Sequence, residues 1–148
     1  MYKRQVEDLV KNDESIKGIW CIPKHSNPTG ETYSQDTVKR IANLPSIGAP
    51  DFIVLWDNAY AVHDFANSKE LPSIQDISQD LNTFDNIATF GSTSKITFAG
   101  GGIAFLGASD KLMTLFLDYF SKFNFSPDKV NQARHVSCLL YTSDAADE

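Results

Sequence analysis

The run FIVLWD, residues 52–57, is short, almost continuously apolar, and ends on a carboxylate. A surface helix would space its apolar residues by three and four, and a half-exposed strand would alternate. An unbroken short run suits a strand covered on both faces, as in a parallel sheet. KGIWCIP, residues 17–23, has the same character and is closed by Pro23. NIATFGS, 86–92, is a third candidate and GGIAFLG, 101–107, a fourth.

Helical signals fall between and after these runs. Ser34 is placed to cap a helix over about 34–44, which Pro45 is expected to stop. Leu112, Leu115, Phe116, Tyr119, Phe120 and Phe123 recur at helical spacing, predicting the buried stripe of a helix from about Asp110 to Asn124. SPDKVNQARHVS then opens a further helix. Strands alternating with helices predict one α/β layered domain with a mostly parallel sheet.

Composition narrows the class of protein. At 148 residues and 42% hydrophobic content the chain is long enough for one sizeable core. No stretch approaches the apolar length of a membrane span, and the polar start MYKRQVEDLVKNDES is not a secretory signal, so a cytoplasmic location is expected. Cys21 and Cys138 are too few for a disulfide framework or a zinc site, and His63 with Asp64 is only an adjacent pair of ligand types. A formal charge of −6 gives no basic face for nucleic acid.

Residues 138–148, CLLYTSDAADE, resemble the translation of a sequencing adapter and are read as a tail foreign to the domain, which would then occupy 1–137. Without Asp144, Asp147 and Glu148 the net charge moves from −6 to −3.

In open α/β sheets, ligands bind where loops leave the carboxyl ends of parallel strands. Three polar clusters stand at such ends: HSNPTG after the first strand, DNAY after the second and STSK after the third. Each has a mundane explanation. Asn27-Pro28-Thr29-Gly30 is a turn signal by composition, and Pro28 removes any glycosylation acceptor at Asn27. Asp57 fits a loop or cap residue, Lys95 a solvated amine, and the glycines at 100–102 a bend. His25 and His63 suit polar bystanders, and Trp56 suits core packing.

Taken together, N-P-T-G, D-N-A-Y and GSTSKITFAGGG, in this order and spacing over residues 17–107, resemble the class I and II aminotransferases, and among them a bacterial aspartate aminotransferase-like branch. The resemblance implies a three-layer α/β/α large domain of fold type I, here incomplete at both ends, and pyridoxal 5′-phosphate (PLP) as cofactor. It implies Lys95 as the Schiff-base and proton-transfer residue, Asp57 as the partner of the pyridine nitrogen, and Asn27 and Tyr60 as hydrogen-bond partners of the 3′-oxygen. Ser92 and Ser94 are implied as phosphate donors, with further donors upstream of Met1.

Many relatives carry an arginine seven or eight residues after the lysine, where this chain has Gly102 and Ile103. The implied substrates are an amino acid, with aspartate favoured, and a 2-oxo acid; the implied assembly is a homodimer of the longer parent, the fragment alone being inactive. Two other readings share the fold: the sensor domain of a MocR-type transcription regulator, and a PLP-dependent lyase.

Overall fold

The computed structural model describes residues 2–64 and 70–144. A four-stranded sheet is formed by β1 (Gly18–Cys21), β2 (Ile53–Asp57), β3 (Ile87–Ser92) and β4 (Ala104–Gly107), in that spatial order. The first three strands are parallel and β4 runs antiparallel to β3. Trp20 lies opposite Leu55, and Asp57 opposite Phe90.

Alternation along the strands then divides the sheet into two faces. Cys21, Val54, Trp56 and Ile87 point to one, where they pack with Val10 of α1 (Tyr2–Asn12), Val38 and Ala42 of α2 (Gln35–Ala42), Leu44 of α3 (Leu44–Ile47) and Ile74 of α4 (Ile74–Asp80). Trp56 is 2% exposed, so its core role holds. Trp20, Leu55, Asp57, Ala88, Phe90 and Ser92 lie on the other face.

The helix after the first polar loop starts as expected: Ser34 Oγ accepts from the Thr37 amide at 3.2 Å. Its end does not follow the expectation. Helix α2 stops at Ala42, before Pro45, and Asn43 serves both as its C-cap and as the N-cap of α3. Pro45 therefore sits in the first turn of α3, where its missing N–H has no intrahelical partner to lose. Helices α1 and α4 carry no assignment from periodicity, although Ser73 caps α4 much as Ser34 caps α2. Arg40 of α2 grips Glu7 of α1 through two parallel bonds of 2.7 and 2.6 Å, tying the two helices together.

Helix α5 (Asp110–Phe120), capped by Ser109, starts where its pattern predicts but ends at Phe120 rather than Asn124, and its apolar stripe is not buried. Leu115 is 63% and Phe123 73% exposed, with Phe116, Tyr119 and Phe120 also exposed. These rings pack on one another instead, Phe116 stacked on Phe120 at 5.1 Å and Tyr119 tilted against Phe123 at 4.9 Å. Helical spacing reports that a face is apolar; no element among the described residues covers this one. Helix α6 (Lys129–Asp144) runs through Cys138 without a break, so the residues read as a tail continue the helix as far as 144, and 145–148 lie outside the described residues. Among the described residues no helix is long and apolar enough to cross a membrane.

Candidate active site

Because β1, β2 and β3 are parallel, the loops leaving their carboxyl ends share one edge of the sheet. Asp57 is the last residue of β2. Its Oδ2 accepts a hydrogen bond from Trp20 Nε1 at 3.3 Å, and the Trp20 ring stacks on Phe90 at 5.6 Å with 7° between planes. The next residue, Asn58, donates its amide to the Phe90 carbonyl at 2.8 Å. The chain therefore leaves β2 still hydrogen-bonded to β3.

Ser92 ends β3, and the Ser94 amide and Ser92 hydroxyl donate to Ser92 Oγ at 3.1 Å and to Ser94 Oγ at 2.9 Å, respectively. Two hydroxyls are thus presented side by side at the strand end. Lys95 follows in an exposed turn, with Nζ 5.3 Å from the centroid of the Tyr60 ring. An ammonium over an aromatic face is attracted by the ring quadrupole, which draws the loops after β2 and β3 together.

Asn27 is placed differently. It lies in the turn after β1, is exposed, and forms a cis peptide bond with Pro28. The Ser26 amide donates to the Glu31 carbonyl at 2.9 Å, closing that turn. No hydrogen bond among the described residues joins its side chain to Asp57, Tyr60 or Lys95. The neighbouring Lys24 and His25 both meet Asp64, and Lys24 also donates to the Ala61 carbonyl at 3.0 Å, so this loop is anchored to the one after β2. His63 packs edge-on against Tyr60 at 5.6 Å. Among the described residues no group of three or more His, Cys, Asp and Glu converges as a metal site.

The three glycines have a steric reason. Gly100 has φ +82°, a region that side chains with a Cβ rarely adopt. At Gly102 an added Cβ would stand 2.0 Å from Ser94 Oγ and 2.7 Å from Ser94 Cα. The segment after Lys95 doubles back against Ser94 so closely that no arginine, nor any side chain, fits at 102. Its base is closed by Thr93, whose amide donates to the Ile103 carbonyl at 2.9 Å while its Oγ1 accepts from the Ile103 amide at 2.8 Å. Thr93 is a residue that sequence reasoning missed; its signal was a threonine exactly where a strand gives way to a glycine-closed loop.

A carboxylate, paired hydroxyls and an amine thus stand at adjacent strand ends of a mostly parallel sheet. The chain belongs to the aspartate amino-transferase family, whose sequence profile matches residues 3–145. Among its relatives are a Mycolicibacterium smegmatis protein whose name assigns it to the aminotransferases, 46% identical over 132 residues, covering 88% of this chain and 31% of the relative. An aspartate aminotransferase of Corynebacterium glutamicum is 41% identical over 134 residues, covering 88% of this chain and 30% of the relative. The crystal structure of an aspartate transaminase from Corynebacterium glutamicum superposes with a TM-score of 0.82 at 38% identity, over 90% of this chain and 31% of that one. The chain therefore spans just under a third of the length of these relatives.

Proposed function

We propose that this chain is the lysine-bearing part of the PLP-binding large domain of an aminotransferase, which exchanges an amino group between an amino acid, with aspartate favoured, and a 2-oxo acid. The observation that carries the reading is the placement of Lys95 above Tyr60, directly after the paired hydroxyls of Ser92 and Ser94. The donor set fits PLP: an anion for a protonated ring nitrogen, hydroxyls for a phosphate and an amine for an aldehyde.

When bound, PLP supplies an electron sink for carbanion charge at the amino-acid Cα. The chain's own residues do the rest. Asp57, oriented by Trp20, holds a proton on the pyridine nitrogen. Ser92 and Ser94 donate to the phosphate. Tyr60, and Asn27 from the turn after β1, donate to the 3′-oxygen. Lys95 Nζ attaches the cofactor and, with substrate in place, moves the proton at Cα. The longer parent acts as a homodimer in this reading, in the cytoplasm.

The test uses the full-length protein with PLP. Borohydride is expected to trap the cofactor on the wild type and not on Lys95→Ala, and amino-acid substrate to shift the visible absorption. Product analysis with aspartate and 2-oxoglutarate should yield oxaloacetate and glutamate. Cofactor trapped equally on Lys95→Ala would remove the assignment.

A further inference from the structure

The turn that carries Lys95 is held from behind by α6. Residues 93–97 form this turn, with Lys95 exposed at its crest and Thr93 buried at its base. The Thr93 carbonyl accepts from the Ile96 amide, the Thr97 amide and Thr97 Oγ1, each at 3.0 Å. Thr97 Oγ1 also lies 3.0 Å from His135 Nε2. The other ring nitrogen, Nδ1, is 2.9 Å from the Asn131 carbonyl, and since a carbonyl only accepts, Nδ1 carries a proton. Asn131 itself donates from Nδ2 to the Gly101 carbonyl at 2.8 Å. Two α6 residues one turn apart therefore grip both ends of segment 97–101, and the His135 ring lies against Phe98 at 5.5 Å.

His135 is 3% exposed, although histidine is not usually a fully buried residue. Its two ring nitrogens are both engaged, which a ring placed only to fill space would not require. We propose that His135 is a positioning residue that acts through Thr97 to set the orientation of the Lys95 turn, with Asn131 fixing the returning strand of the loop. Thr97 is the junction: its Oγ1 lies 3.0 Å from both the Thr93 carbonyl and Nε2, so one hydroxyl ties the base of the turn to the imidazole. The inference rests on the reading of Lys95 as the cofactor lysine.

The experiment uses the full-length enzyme loaded with PLP and three variants. His135→Phe keeps a ring against Phe98 and removes both nitrogens, Thr97→Val removes the hydroxyl at nearly constant volume, and His135→Gln retains a hydrogen-bonding group. The readouts are the pH midpoint of the visible absorption of the lysine-bound cofactor, and kcat and KM measured separately. His135→Phe and Thr97→Val should each move the midpoint in the same direction by about 0.5 to 1 unit and lower kcat roughly tenfold with KM little changed. The double variant should be no worse than the more affected single one, because both remove the same connection. His135→Gln should recover part of the loss.

A midpoint unchanged in both His135→Phe and Thr97→Val, or fully additive effects in the double variant, overturns the inference. The Lys95→Ala trapping control separates the two claims. Loss of trapping in Lys95→Ala, together with an unmoved midpoint in the other variants, rejects only the role of His135. Trapping that persists in Lys95→Ala rejects the lysine assignment on which it rests.

Discussion

Trp20 and Asp57 sit on neighbouring strands and meet through a single hydrogen bond, indole Nε1–H to carboxylate Oδ2 at 3.3 Å. Phe90, opposite Asp57 in the sheet register, stacks on the indole and fixes its plane. The carboxylate is thereby oriented through Trp20, whose plane Phe90 sets.

Trp20→Phe should preserve the stack and lose the donor. One hydrogen bond of this length contributes about 0.5 to 1.5 kcal/mol, so PLP affinity of the full-length protein should weaken by roughly two- to tenfold. Fluorescence or absorbance titration of the apoprotein with PLP measures it, and an unchanged affinity would show that Asp57 needs no help from Trp20.

Gly102→Ala places a Cβ within 2.7 Å of the Ser94 backbone, which rotation of a side chain cannot relieve. Overpacking of this kind costs about 1 to 3 kcal/mol, read as a lower melting temperature, and should also weaken PLP binding by displacing the Ser94 hydroxyl. Gly91→Ala is the control, since its added Cβ would meet nothing closer than the Phe105 ring at 3.8 Å.

Burial pushes the Cys21 thiol up to about 12 from 9.0, and burial, with Cys21 beside it, pushes the Tyr33 hydroxyl up to about 12 from 10.0. Both groups keep their protons in the folded chain at pH values where the unfolded chain has lost them. Their contribution is complete below pH 9 and declines as pH rises from there toward 12. Denaturant midpoints measured between pH 8 and 11 should fall with increasing pH, and Cys21→Ala should move the onset of that fall upward.

Asp64→Asn removes the anion shared by Lys24 and His25. The Lys24 side chain is only 11% exposed, so its ammonium would keep the Ala61 carbonyl but lose its counter-ion in a poorly hydrated place. A loss of about 1 to 3 kcal/mol in a chemical denaturation curve is expected, against near-neutrality for Asp51→Asn, whose pair with Lys17 is exposed.

Strand identity was legible because FIVLWD and NIATFGS carry their own burial pattern, and strand ends were legible because Asp57 and Ser92 break it. The direction of β4 was contained in the spacing as well: eleven residues from Thr93 to Ile103, with no helix among them, cannot make the crossover that a parallel neighbour requires. The glycine run was visible but its cause was not, since the close approach of Gly102 to Ser94 is a property of the closed loop. Thr97 and His135 are thirty-eight positions apart, and no local pattern announces their contact. The stripe on α5 was correctly located and wrongly buried, because periodicity describes a face and says nothing of what is laid upon it.

The paired bonds between Thr93 and Ile103 turn the lysine loop into a closed ring of chain, pinned at its neck. A residue inserted inside the ring would find no slack, since Gly102 lies against Ser94 and α6 holds segment 97–101 at both ends. A residue inserted between the neck and β4 would shift the strand by one position against β3 and exchange its two faces. Length variation in homologous chains should accordingly be absent both from the ring and from the few positions that follow it.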